Sequence, residues 1–217
     1  MPNSQPTGLQ ALERLRAGNA RFVQGVLSLD SLLSHARPSR EQQARAQLPF
    51  AVVLGCSDSR APAEFIFDQG LGDLFVIRVA GNIAAPSQVG SIEFAVEQFQ
   101  VRLVVVLGHS NCGAVRATLA HLQAPGDTSP ALRAIVDRIA PGIQPVLSGC
   151  GGESDACMPQ AIRANVEATI RNLRAQSDYL RYAELQGGLR IVGADYDLGS
   201  GAVDFFATEP QAWPTGA

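Results

Sequence analysis

The sequence predicts an α/β fold: a single domain with a mainly parallel central β-sheet flanked by helices, an antiparallel edge strand and an N-terminal helical arm. Three observations predict it. Four short apolar runs rich in β-branched residues recur along the chain. They are nearly continuous in apolar character instead of alternating, as strands covered on both faces are. The segments between them carry helical spacing or turn residues.

Leu9 to Phe22 reads as an amphipathic helix with Leu9, Leu12, Leu15 and Phe22 on one face. It precedes the sheet and has no evident place in its core, so residues of about 1–47 read as an arm that packs on a partner subunit. Phe50 to Leu54 is the first strand, and Pro62 opens a short helix, PAEFIFDQ. Leu74 to Ala80 is the second strand, punctuated by Gly70, Gly72 and Gly81. Pro86 begins a largely buried helix through Val89, Ile92, Phe94, Val96 and Phe99. After the third strand, Leu103 to Leu107, a helix starts near Cys112 and carries Val115, Leu119 and Leu122. Ser129 to Ala140 reads as a helix, followed by a Gly, Pro and Ser stretch from Pro141 to Ser154 that predicts a mobile excursion. Ala161 to Ala175 is amphipathic, and Gly187 and Gly188 stop the element after it. Leu189 to Ala194 is the fourth strand. Gly199 to Gly201 then turn tightly into Val203 to Phe206, an antiparallel hairpin. The α/β core thus spans about 48–206, with a polar tail at 207–217.

The 217 residues are 46% hydrophobic, which suits one domain with a substantial core. Charged residues make up 17% and the net charge is −3, so no basic footprint exists for nucleic acid. All 17 Lys+Arg residues are Arg, which excludes Schiff-base chemistry and a phosphate-loop lysine. No apolar run approaches about 18 residues, so no membrane span is expected. The opening MPNSQPTG lacks the basic and apolar regions of a secretory signal, and the expected location is the cytoplasm. The four cysteines then read as reduced thiols serving a metal or a reaction.

In parallel α/β sheets functional groups collect beyond the carboxyl ends of strands. Cys56, Ser57, Asp58, Ser59 and Arg60 follow the first strand, and His109, Ser110, Asn111, Cys112 and Gly113 follow the third. If these strands are neighbours, Cys56, Asp58, His109 and Cys112 meet in one crevice as a tetrahedral zinc ligand set. The HxxC spacing lets one turn present both side chains, and Cys112 at a helix start gains from the dipole that favours thiolate. A lone cysteine at a strand end is ordinarily a small buried hydrophobe, but two polar clusters after two apolar strands do not read as core. A structural zinc with Asp58 as fourth ligand is the rival reading. Against it, Arg60 can take the Asp58 carboxylate in a bidentate pair and free a position for water, whose pKa zinc lowers to about 7.

At this point the residues resemble the β-class carbonic anhydrases. The resemblance runs over roughly Leu9 to Phe206 and rests on GNARF at 18–22, CSDSRAPAE at 56–64, GDLFVIRVAGN at 72–82, GSIEFAV at 90–96 and GHSNCGA at 108–114. It implies a zinc held by Cys56, His109 and Cys112, with Asp58 on the metal or paired with Arg60. It further implies reversible hydration of carbon dioxide to bicarbonate and a proton by a zinc-bound hydroxide. The implied assembly is a dimer or tetramer with active sites at the dimer interface and an N-terminal helix reaching over the neighbour. Gln47 matches a glutamine that donates to substrate, Phe75 an apolar pocket residue, and Phe94 stands where plant members carry a tyrosine. Arg78 and Tyr196 match two positions of a regulatory bicarbonate pocket, whose Trp position is Val53. A hydrolase of carbonyl sulfide or carbon disulfide needs the same metal chemistry and is not separated by these motifs. Cys150 and Cys157 flank the Gly-rich excursion away from the strand ends, with an accessory metal or redox role as the lesser reading; His35 and His121 read as solvent-facing, with a proton shuttle at His121 as the alternative, and Trp213 suggests no chemistry.

Overall fold

Strand formation follows the apolar runs. In the computed structural model, which describes residues 5–29, 31, 41, 44–149 and 154–207, β1 (Ala51–Gly55), β2 (Leu74–Arg78), β3 (Leu103–His109) and β4 (Arg190–Tyr196) are parallel. β5 (Val203–Ala207) runs antiparallel to β4. The order is β2-β1-β3-β4-β5, so β1 and β3 are neighbours and β2 and β5 are the open edges. Successive side chains of a strand point to opposite faces. Ala51, Val53, Leu103 and Val105 therefore meet one layer, and Val52, Leu54, Val104 and Val106 the other.

The second layer is built by α3 (Pro86–Phe99), α6 (Ser154–Gln176) and α7 (Asp178–Gln186). Ile92, Val166, Ile170 and Leu180 supply its core. The first layer corrects one expectation. The helix read as having no place in the core, α1 (Gly8–Val23), packs on this chain's own sheet together with the short α2 (Ala63–Ile66). Thr7 caps α1 in a reciprocal capping box with Gln10. Leu12 and Leu15 are buried against Phe50, Val53 and Phe67, and each contributes roughly 1.5–3 kcal/mol. Gly18 passes so close to Phe67 that a Cβ would lie 1.8 Å from its carbonyl oxygen. Asn19 then donates to the carbonyls of Ile66 (3.1 Å) and Gly201 (2.9 Å) and accepts from the Val203 amide (2.9 Å). These contacts are long-range, and helical periodicity says nothing about them.

α4 (Gly113–Gln123) starts directly after Cys112. α5 (Pro130–Gly149) corrects a second expectation: the stretch after Ala140 continues as helix through Pro141 and Pro145. The two prolines are one turn apart and both exposed, while Ile139 and Ile143 on the opposite face are fully buried. The carbonyls that lose their amide partners thus belong to the solvent side. Gly142 lets α5 lie against α6, since a Cβ there would sit 2.6 Å from that of Ala168. Cys157 is buried and disulfide-bonded, which departs from the expectation of four reduced thiols. His35, Cys150 and Trp213 lie outside the described residues. Among those described, no helix is long and apolar enough to cross a membrane.

Candidate metal centre

The end of the sheet positions three ligands from two adjacent strands. β1 stops at Gly55 and delivers Cys56, β3 stops on His109, and Asn111 in the left-handed region (φ 56°) turns the chain so that Cys112 caps α4. One ligand atom from each of Cys56, His109 and Cys112 lies within 4.8 Å of the others, and all three residues are buried.

The histidine tests whether a metal fits. His109 Nδ1 lies 2.9 Å from the Ser110 carbonyl oxygen, which fixes the proton on Nδ1 and leaves Nε2 with its lone pair. That Nε2 is buried and has no hydrogen-bond partner among the described residues. A buried acceptor facing two thiols is costly without a cation and satisfied with one.

The sulfurs are prepared in the same sense. Cys112 donates to Cys56, which lowers the Cys56 pKa to about 4 against the opposing effect of burial, with help from His109 and the amides of Gly81 and Asp58. Cys112 holds the shared proton and is pushed upward, burial adding to the effect. A divalent cation binding here displaces that proton, and two thiolates then balance its charge. For His109, burial pulls the pKa down, but the Cys56 thiolate and the Ser110 carbonyl outweigh it and the net shift is upward.

Asp58 stands beside this group without joining it. Arg60 grips both of its oxygens, Nε to Oδ1 at 2.9 Å and Nη2 to Oδ2 at 2.7 Å, and the Arg60 amide adds a third bond at 3.0 Å. The guanidinium holds the carboxyl far below the usual carboxylate range. Asp58 Oδ2 remains 3.9 Å from His109 Nε2, close enough to face whatever is held there.

The groups that fix the CSDSR turn, Arg78 and Gly81, read in the sequence as a pocket match and a strand-end glycine and not as holders of that turn. Arg78 donates to the carbonyls of Cys56 (3.0 Å) and Asp58 (2.5 Å), and the Gly81 amide points at Cys56 Sγ (3.4 Å). Gly81 (φ 70°) is held by Asn165, and a Cβ there would meet Ile139 at 2.6 Å. Of the positions matching a regulatory pocket, Arg78 is thus committed to the turn, Tyr196 is buried near Phe22, and Val53 is fully buried in β1. The sequence signals for Gly81 are its place in RVAGN and its position as a glycine that closes the second strand.

The comparisons agree with this geometry. Residues 51–203 match the family model described as carbonic anhydrase. The carbonic anhydrase of Mycolicibacterium smegmatis is 43% identical over 94% of this chain and 95% of its own length.

The chain belongs to the β-class carbonic anhydrases.

Among solved members of that class, the β-carbonic anhydrase CafA of Aspergillus fumigatus superposes with a TM-score of 0.72 at 29% identity, over 82% of this chain and 86% of that one. One of two tetrameric β-carbonic anhydrases of Sordaria macrospora gives 0.70 at 27% identity, over 80% and 89%. Membership makes the chain an enzyme and supports carbon dioxide hydration as its reaction.

Three sequence-predicted pocket residues stand apart from the β-carbonic anhydrase metal group in the single chain. Gln47 is exposed before the start of β1, whereas Cys56 follows its end, and five residues of strand separate them by about 17 Å. Phe75 on β2 and Phe94 on α3 lie 6.2 Å apart and form a patch with Phe99 beside the open β2 edge.

Proposed function

We propose that the chain hydrates carbon dioxide reversibly with a zinc ion held by Cys56, His109 and Cys112. The observation that carries this reading is the buried, unpartnered His109 Nε2, oriented by Ser110 toward two thiols and flanked by a carboxylate that Arg60 holds. When bound, zinc supplies a Lewis acid that lowers the pKa of a coordinated water to about 7 in the three-histidine carbonic anhydrases, and the same chemistry is expected here.

The chain's own residues then do the following. Arg60 keeps Asp58 ionised and turned to itself, so the position facing the three ligands is left for water and substrate. Asp58 accepts a hydrogen bond from the oxygen that attacks carbon dioxide and so orients that oxygen's remaining lone pair. Arg78, through the carbonyls of Cys56 and Asp58, keeps the turn that carries both residues in place.

A second copy of the chain completes the site in this reading. Gln47 is too far from its own Cys56, and Phe75, Phe94 and Phe99 form an apolar patch beside the β2 edge, which is unpaired among the described residues. A dimer across β2 covers that surface, and the two Sordaria relatives are tetrameric.

Stopped-flow carbon dioxide hydration on zinc-loaded protein at about pH 7 and about pH 8.5 tests the reading. Activity at both values is expected, because Asp58 already sits on Arg60. A zinc-loaded chain inactive at both would overturn it and turn the search to carbonyl sulfide or carbon disulfide.

A further inference from the structure

The two sulfurs of the metal group obtain their hydrogen-bond donors in different ways. Cys112 accepts from the amides of Ala114 and Val115, which belong to the helix it starts. Cys56 accepts from the Asp58 amide in its own turn, and also from the Gly81 amide at 3.4 Å. Gly81 is 25 residues away in the chain, in the short 3-10 turn Ala80–Asn82 that follows β2. A donor supplied by the local turn is aimed by that turn, whereas one supplied from another segment has to be aimed by its own surroundings.

Gly81 cannot aim itself. Its φ of 70°, and the closeness of Ile139 and Ala114 at 2.6 and 3.1 Å from a Cβ placed there, admit only glycine, the residue with the freest backbone. Two hydrogen bonds hold the peptide unit that follows it. The Asn82 amide donates to the Val79 carbonyl at 3.0 Å, and Asn165 Nδ2 donates to the Gly81 carbonyl at 2.9 Å. Asn165 comes from α6, 84 residues further on, and is buried. Asparagine is a poor helix former, and burying its amide is costly unless the amide is bonded. Ile162, Val166 and Ile170 already supply the apolar packing of this part of α6, so packing alone does not account for an asparagine among them.

We propose that Asn165 is a positioning residue for the metal group: by holding the Gly81 carbonyl it keeps the Gly81 amide on Cys56 Sγ, and so limits the electron density that this sulfur gives to a bound metal. The inference rests on the reading that Cys56, His109 and Cys112 hold a metal, and not on which reaction follows. Hydrogen bonds to ligating sulfurs are among the levers by which a protein tunes a metal, and loss of an outer contact of this kind costs about 10–100-fold in affinity.

Cobalt(II) in place of zinc provides the test, because its thiolate-to-metal charge-transfer absorption in the near ultraviolet follows the donor strength of the sulfurs. The full-length wild type loaded with cobalt(II) is expected to show that band. Asn165→Leu, similar in size but without a donor, should move the band to longer wavelength, and competition with a chelator should show zinc held about tenfold more weakly. Ile139→Val thins the packing against Gly81 and leaves the bond from Asn165 in place, so it should lower stability with the band unmoved. Should Asn165→Leu not fold, Asn165→Ser, whose hydroxyl is too short to reach the Gly81 carbonyl, takes its place. A wild type without the band overturns the metal reading and this inference with it. A band that is present but unmoved in the Asn165 variant overturns the inference alone and leaves the metal reading standing. An equal shift in Ile139→Val does the same, because the signature would then belong to packing.

Discussion

His109, Cys112 and Asp58 sit within one shell of atoms but answer differently to substitution. Cys112→Ser exchanges a thiolate for a poor ligand, so zinc affinity is expected to fall by more than the roughly 100-fold that losing an outer hydrogen-bond partner costs. Zinc content after dialysis measures this, and full retention would remove Cys112 from the ligand set. Asp58→Ala should keep the metal, since three ligands remain, yet lower kcat/KM on the order of 100-fold, the usual scale for a positioned carboxylate. Zinc retention with unchanged kcat/KM would show that the pairing with Arg60 has no part in the reaction. Asp195 carries a pH signature. Burial raises its pKa to about 6 in the folded chain, above the unfolded value of about 3.9. The folded state therefore binds the proton more tightly, and stability falls as pH rises through that window. Asp195→Asn removes the charge, so it should stabilise the protein at pH 8 by on the order of 1–2 kcal/mol, after allowance for partial exposure, and by less at pH 5. Urea unfolding at the two pH values gives the comparison; a gain independent of pH would contradict a buried, uncompensated carboxylate.

At the scale of elements, two helices separate what local sequence dictates from what packing decides. The strands and the ligand-bearing turns were legible because the information is local: an apolar run ends, and CSDSR or HSNCG begins at the carboxyl end. α5 was not, because each proline costs up to about 3 kcal/mol in a helix interior and local rules place a break at Pro141. The helix continues because Ile139 and Ile143 are buried on the face away from the prolines. Pro141→Ala restores an amide and removes the ring clash, so a stability gain of about 1–3 kcal/mol is expected in thermal or urea unfolding. A loss would mean that the proline is needed by the packed shape. α1 was legible as a helix but not as part of its own chain's core. Its docking depends on Asn19 reaching Ile66 and Val203, residues remote in sequence. Asn19→Ala leaves a buried carbonyl and amide unpaired and should cost about 2 kcal/mol or more. The half-buried Asp195 escaped notice for the same reason, since no motif marks a carboxylate whose neighbours come from α6 and β3.

The molecule as a whole presents an imbalance between its two sheet edges and its site. Arg163 lies over Phe206 of β5, whereas β2 offers five residues of strand that are unpaired among the described residues, beside the half-exposed Phe94. Such an edge invites pairing, and an apolar patch of this kind on a monomer marks an interface. The metal group lies at the carboxyl end of β1 and the polar residue matched to substrate, Gln47, before its amino end, so one chain cannot bring them together. The proposed dimer meets both facts if the second copy docks across β2 in the opposite sense and carries its own Gln47 toward the first chain's Cys56. A stable contact of this type buries about 800 Å² per partner, and a charge near its centre is not tolerated unless paired. Phe94→Glu places such a charge in the patch, on α3 and not among the three ligands. Sedimentation velocity is therefore expected to show a shift from dimer or larger to monomer, with one zinc still bound per chain and carbon dioxide hydration lost. A variant that remains dimeric would place the interface elsewhere. A monomer that retained full activity would show that the site is complete within one chain and that Gln47 has no part in it.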